Sequence, residues 1–188
     1  ADVNGDITLA INDGHINSVF GGNNEGGDVN GAITVNIEWV NDADASLNNV
    51  YGGGNLAPYT TPVGKVGPTV NLLNGTISGS AFGGGLGKTA IVTGNPKVYL
   101  NGATVLNDIY GGGDEADVVG TANVQVDNGI VKDIYGGGNA ANVTNTDVVI
   151  NGGEATMAFA GGHGDKDAVD GEGNPAPTEA NVSGNAHL

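Results

Sequence analysis

Residues 108–120 read DIYGGGDEADVVG and residues 133–145 read DIYGGGNAANVTN. One phrase is written twice, each time with an aromatic residue set against a run of glycines, and self-similarity of this kind marks a repeat architecture. With the aromatic as anchor, the pattern extends to Phe20, Tyr51, Phe82, Tyr110, Tyr135 and Phe159. The steps between them are 31, 31, 28, 25 and 24 residues, so the period tightens along the chain.

Each unit carries three apolar stretches. The first alternates with period two: Ile33-Thr34-Val35-Asn36-Ile37, Thr69-Val70-Asn71-Leu72, Val98-Tyr99-Leu100, Val124-Gln125-Val126 and Val148-Val149-Ile150. Alternation among β-branched residues predicts strands with one buried face. A turn follows at Asp13-Gly14, Asn74-Gly75, Asn101-Gly102, Asn128-Gly129 and Asn151-Gly152, where Asn and Gly accept positive φ. The second stretch ends in the aromatic. The third is short: Asp28-Val29, Lys65-Val66, Ile91-Val92, Val118-Val119, Asn142-Val143 and Ala168-Val169.

Three short strands and three corners in about 25–31 residues describe one coil of a parallel β-solenoid. The expected fold is all-β, a right-handed parallel β-helix of about six coils, the hand following the general rule for parallel crossovers. Like residues then stack on like residues one strand spacing apart. Phe20, Tyr51, Phe82, Tyr110, Tyr135 and Phe159 form a structural ladder, and the glycines beside them let the chain bend where neighbouring coils crowd in. Asn-Gly between apolar runs is also the strongest hairpin signal, so an antiparallel meander is the competing local reading. A six-bladed propeller is the other rival, but 25 residues are too few for a four-stranded blade.

Insertions are expected at corners: residues 41–47, 56–64 and 164–177. Residues 1–188 form one repeat domain. The chain starts and stops mid-coil, Thr178-Glu179-Ala180-Asn181-Val182 resembling the strand start Thr121-Ala122-Asn123-Val124, which suggests a segment of a longer array or a unit that stacks end to end with copies of itself.

Composition agrees with a folded β protein and narrows its partners. The chain has 36 Gly, far above the usual ~7%, yet 38% of residues are hydrophobic. There are 21 acidic residues against 5 Lys and no Arg, a net charge of −16. Such a surface repels phosphates, so nucleic acid is not an expected partner. No stretch approaches the ~18 apolar residues of a membrane helix, and no membrane insertion is expected. The chain lacks cysteine, which excludes disulfides and thiolate metal sites.

The runs VYGGGNLA (50–57), IYGGGDEADVVGTANVQVDNG (109–129) and IYGGGNAANVTNTDVVINGG (134–153) resemble repeats of Gly- and Asn-rich adhesin-like surface proteins of gut Bacteroidetes. The resemblance covers most of the chain, the first two units matching least well. It implies an extracellular or cell-surface β-solenoid stalk with no catalytic residues to carry over. Neighbouring repeats, and a host glycan or protein, are then the expected partners.

The candidates for chemistry are few. Asp165, Asp167, Asp170 and Glu172 crowd one loop and form the candidate metal site, for calcium, which takes six to eight oxygens. Gly161-Gly162-His163-Gly164 is similar to the start of a calcium nonapeptide, but Lys166 stands at its Asp position. No other cofactor is expected. A carbohydrate-cleaving enzyme would need paired carboxylates, for which Asp42 with Asp44 or Asp114 with Asp117 qualify by spacing. The absence of Arg and the scatter of Lys favour a non-enzymatic reading. His15, His163 and His187 lie in different units. Gly84 to Thr89 imitates part of a phosphate loop without the helix that would receive a phosphate. The outward first-strand positions, Asn36, Asn71, Tyr99, Gln125 and Val149, are too varied for an ice-binding array.

Overall fold

The computed structural model describes residues 2–38 and 46–188. It contains no helix among these residues. The strands are β1 (Ile7–Ile11), β2 (His15–Phe20), β3 (Ile33–Glu38), β4 (Ser46–Tyr51), β5 (Tyr59–Thr60), β6 (Thr69–Asn74) and β7 (Thr76–Ile77). They continue as β8 (Ala81–Phe82), β9 (Val92–Thr93), β10 (Lys97–Tyr110), β11 (Val118–Tyr135), β12 (Val143–Ile150), β13 (Glu154–Phe159) and β14 (Ala186–His187). All join one sheet, and every strand pair is parallel. The chain is a parallel β-solenoid of about six turns.

The alternation read from the sequence sets the register. One column of the first side runs Leu9, Val35, Val70, Val98, Val124, Val148. The next inward column runs Ile11, Ile37, Leu72, Leu100, Val126, Ile150. On the second side, Ile16, Leu47, Ile77, Val105, Val131 and Ala155 form one column and Val19, Val50, Ala81, Ile109, Ile134 and Ala158 another. These columns meet in a single continuous core, from which only the last-coil members Ile150 and Ala155 are exposed. Each buried Val, Leu or Ile contributes about 1.5–3 kcal/mol of transfer free energy, so the inner coils add similar stabilisation level by level, and the end coils, with Leu9 and Ile11 partly buried and Ile150 exposed, add less.

The Asn-Gly sites are corners rather than hairpins. Asn101-Gly102 lies inside the continuous β10, whose two halves pair with the coils above and below and not with each other. Gly14, Gly75, Gly102 and Gly129 take φ of 114°, 90°, 125° and 118°. A side chain at Gly102 would place its Cβ 2.4 Å from the Leu73 carbonyl oxygen of the preceding coil. In the last full coil the corner falls one residue later than expected, at Gly153 (φ 81°) rather than Gly152.

Two third-strand assignments also shift. The piece that pairs with β9 is Tyr59-Thr60, not Lys65-Val66, and Val66 is exposed. Tyr59 is buried and donates its hydroxyl hydrogen to the Gly31 carbonyl at 2.8 Å, so it serves the core and Val66 does not. The insertion expected at 56–64 therefore begins later, after Thr61, whose N–H still donates to Thr93 C=O at 2.8 Å. At the far end Val182, not Val169, bridges Val143, while Val169 pairs antiparallel with Pro175 inside the loop. Residues 178–182 are accordingly not a first strand. The first-side rung is β14, whose Ala186 and His187 sit over Thr146 and Asp147. Of the expected insertion at 41–47, residues 41–45 lie outside the described residues, and Leu47 is a buried core residue of β4. The 164–177 insertion lies in the glycine corner between Gly162 and Ala180, where the coil resumes.

Candidate functional site: an aromatic stack flanked by two polar ladders

The glycine corner is the most specialised place in each coil. At Gly111, Gly112 and Gly113 a Cβ would approach the Gly136 carbonyl oxygen to 2.4 Å, the Gly138 backbone to 2.8 Å and the Ala116 carbonyl oxygen to 2.5 Å. All three glycines are there because backbone from the same or the next coil occupies the space. The bend itself is paired between coils: Gly84 N–H donates to Gly112 C=O and Gly112 N–H to Gly137 C=O, each at 3.0 Å. Behind it sits an alanine column, Ala57, Ala90, Ala116 and Ala141, fully buried, with Ala180 continuing it against Gly162.

Against this bend the six aromatics stack as expected. Successive centroids lie 4.8, 4.8, 4.8, 5.0 and 5.0 Å apart from Phe20 to Phe159, with planes within 10°. Tyr51, Phe82, Tyr110 and Tyr135 are buried yet form a cluster separate from the main core, with Phe20 and Leu86 packed on it. The rings thus fill the outer side of the bend, and each pair adds about 0.5–1.5 kcal/mol beyond burial.

Polar columns border the stack on both sides. The position four after each aromatic gives Asn24, Asn55, Leu86, Asp114, Asn139 and His163, bridged coil to coil except that Leu86 bridges Glu115 rather than Asp114. Asn55 Nδ2 donates to Asn24 Oδ1 at 2.7 Å, Asn139 Nδ2 to Asp114 Oδ1 at 2.9 Å, and His163 Nδ1 lies 3.0 Å from Asn139 Oδ1. The Tyr51 hydroxyl donates to Asp114 Oδ2 at 3.4 Å, and the His163 ring meets Tyr135 edge-on at 5.3 Å. The position two before each aromatic gives Ser18, Asn49, Ser80, Asp108, Asp133 and Met157. The Tyr110 hydroxyl donates to Asp108 Oδ2 at 3.1 Å.

This setting perturbs its ionisable groups. Burial, then the facing carboxylates, pushes the Tyr51 and Tyr110 phenols far above their ordinary range. Burial raises the Asp114 carboxyl, opposed by the hydrogen bonds from Asn139 and Tyr51. The Lys132 ammonium is held above its ordinary value chiefly by Asp108.

The acids named from the sequence are placed elsewhere. Asp165 Oδ1 accepts the Asp167 N–H at 2.9 Å; Asp170 Oδ1 accepts the Glu172 and Asn174 N–H groups, also at 2.9 Å; Asp167 pairs with Lys166. These carboxylates cap their own loop, and the bonds from Asn174 and Glu172 hold the Asp170 carboxyl below the usual range. Among the described residues no group of three or more His, Asp or Glu side chains converges for a metal. Asp42 and Asp44 lie outside the described residues. Asp114 faces the aromatic stack while Asp117 Oδ1 accepts the Asn142 N–H at 2.8 Å, so the two serve different partners. The histidines do too: His15 meets Ser46, His163 meets Asn139 and His187 meets Asp147.

An acid pair that the fold does bring into register is Asp108 over Asp133. Sequence reasoning passed over it, although both quoted stretches begin with it. A surface cavity of about 380 Å³ lies where Ala176–Glu179 of the inserted loop faces Lys88, Glu115 and Ala140 on the coils. Comparison with known proteins adds no relative: no family model, curated protein or solved structure matches the chain.

Proposed function

We propose that this chain is a non-enzymatic structural segment of an extracellular or cell-surface protein, a stiff spacer that meets partners through its corner insertions. The observation that carries the reading is the unbroken ring stack from Phe20 to Phe159, parallel to core columns of the same length. A solenoid whose every level repeats the same packing has no natural hinge, and its stability sums over nearest-neighbour interfaces. Partner contact belongs to the 164–177 insertion, which rises from one corner and forms a cleft against the coils. A host glycan or a host protein is the class of partner that such a stalk would present this loop to.

The alternative, a carbohydrate-cleaving β-helix, draws support from the stacked Asp108–Asp133 pair, but Asp133 is 3% exposed and a substrate could not reach it. The test removes one level. Deleting residues 111–135 joins Tyr110 to Gly136 in phase, and the account expects a folded rod shortened by about 5 Å in small-angle scattering, one strand spacing. Glycan and protein arrays probed with the chain, with and without residues 164–177, then assign the contact. Binding that survives removal of that loop, or hydrolysis of a polysaccharide abolished by Asp108→Asn, would reject the spacer reading.

A further inference from the structure

We propose that Asp108 and Asp133 form an inter-coil binding site for one hard divalent cation of calcium size. The two carboxylates project from the same column in consecutive coils, and like charges directly opposite in a sheet repel. Asp133 has a side chain 4% exposed, and its Oδ1 is buried without a hydrogen-bond partner. Asp108 Oδ1 is buried too and takes no hydrogen bond, its nearest partner being the Lys132 ammonium. A buried carboxylate oxygen without a partner is costly, so Asp133 Oδ1, set beside a second carboxylate, calls for a cation.

Lys132 offsets charge here without supplying that ligand. Its Nζ lies 3.5 Å from Asp108 Oδ1 and 3.7 Å from Asp133 Oδ2, beyond the ~2.7–2.9 Å of a charge-assisted hydrogen bond. Its side chain is 56% exposed, so it can swing away into solvent. The remaining neighbours are compatible with oxygen coordination. The Tyr110 hydroxyl is on Asp108 Oδ2, and the Ser80 hydroxyl accepts the Asp108 N–H at 3.3 Å.

The coil spacing selects the ion. Consecutive rungs lie about 5.0 Å apart at the neighbouring rings, a spacing that suits the longer ~2.3–2.6 Å bonds of Ca²⁺ better than the ~2.0–2.1 Å bonds of Mg²⁺. Water completes the shell on the Lys132 side. The site is distinct from the acidic loop at 165–172 and independent of the spacer reading.

The test uses terbium as a calcium-sized probe, because Tyr110 beside the site sensitises its emission. Asp108→Asn/Asp133→Asn is a fair variant, since Asn49 already stands in this column. Circular dichroism verifies that it folds. Relative to the wild type, this variant is expected to lose one equivalent of calcium-displaceable terbium emission, while Asp165→Asn/Asp170→Asn keeps it. Lys132→Met, which removes the competing ammonium, should bind at least threefold more tightly, and calcium but not magnesium should raise the melting temperature. An equivalent retained by Asp108→Asn/Asp133→Asn, or an affinity that fails to rise in Lys132→Met, overturns the proposal.

Discussion

The ring of Tyr110 lies over the ring of Tyr135 at 5.0 Å, with 9° between their planes, although the two are 25 positions apart in sequence. That contact condenses the architecture: a residue's most important neighbour is its own equivalent one coil away.

Truncating a ring in the middle of the stack should therefore affect two interfaces at once. Tyr110→Ala is expected to cost about 3–5 kcal/mol, the range for large aromatic truncations. Tyr110→Phe keeps the stack and loses the hydroxyl bond to Asp108, costing about 1–2 kcal/mol. Chemical denaturation of the two variants separates packing from hydrogen bonding. Equal losses would mean that the ring contributes nothing by stacking.

The glycine corner predicts a sharp contrast between two alanine substitutions. Gly112→Ala drives a Cβ to 2.8 Å from the Gly138 backbone, which cannot move without shifting a whole coil. A loss of at least ~2–3 kcal/mol is expected. Gly5→Ala meets nothing within 4 Å and should stay within about 0.5 kcal/mol of the parent. Thermal unfolding of both variants decides it.

Much of this was legible beforehand, for a physical reason. In a solenoid the same column recurs in every coil, so period-two alternation and the aromatic anchor are restated unit after unit, and one irregular unit does not obscure the others. What stayed hidden were features that occur at irregular spacing. Tyr59 lies next to Pro58 in a segment that reads as a loop, yet it takes the third-strand place. Val182 sits beyond a long insertion, so counting from Gly162 led to Val169 instead. The buried alanine column carried no signal because alanine is common and small. The Asp108–Asp133 pair was in plain view but looked like ordinary surface charge, since nothing in the sequence says that this column is covered by the ring stack.

The corner column after the polar ladder holds a left-handed backbone at Glu25, Leu56, Gly87, Glu115 and Ala140. Only Gly87 occupies it without strain, and an L-residue there costs roughly 1–2 kcal/mol, partly offset in the Gly variant by unfolded-chain entropy. Ala140→Gly (φ 49°) should consequently stabilise the rod by roughly 0.5 kcal/mol. A lowered melting temperature would contradict this.

Asp114 gives the rod a pH signature. Its carboxyl is raised by burial, so it holds its proton more tightly folded than unfolded. Its contribution to stability is complete below the ordinary carboxylate pKa and is lost as pH rises through the raised value. Asp114→Asn cannot titrate. The melting temperature of the variant minus that of the parent should therefore become more positive as pH rises from the carboxylate range towards neutrality. A difference that stays flat or falls with pH would show that Asp114 is not desolvated against the ring stack.

The most direct test of the coil-on-coil arrangement is the set of long-range methyl contacts along Val98, Val124 and Val148, measured by nuclear Overhauser effects on methyl-labelled protein. Cross-peaks are expected from Val98 to Val124 and from Val124 to Val148, with equivalent contacts between the rings of Tyr110 and Tyr135. Cross-strand contacts between residues on either side of Asn101-Gly102, in place of those cross-peaks, would make the corner a hairpin and contradict the solenoid.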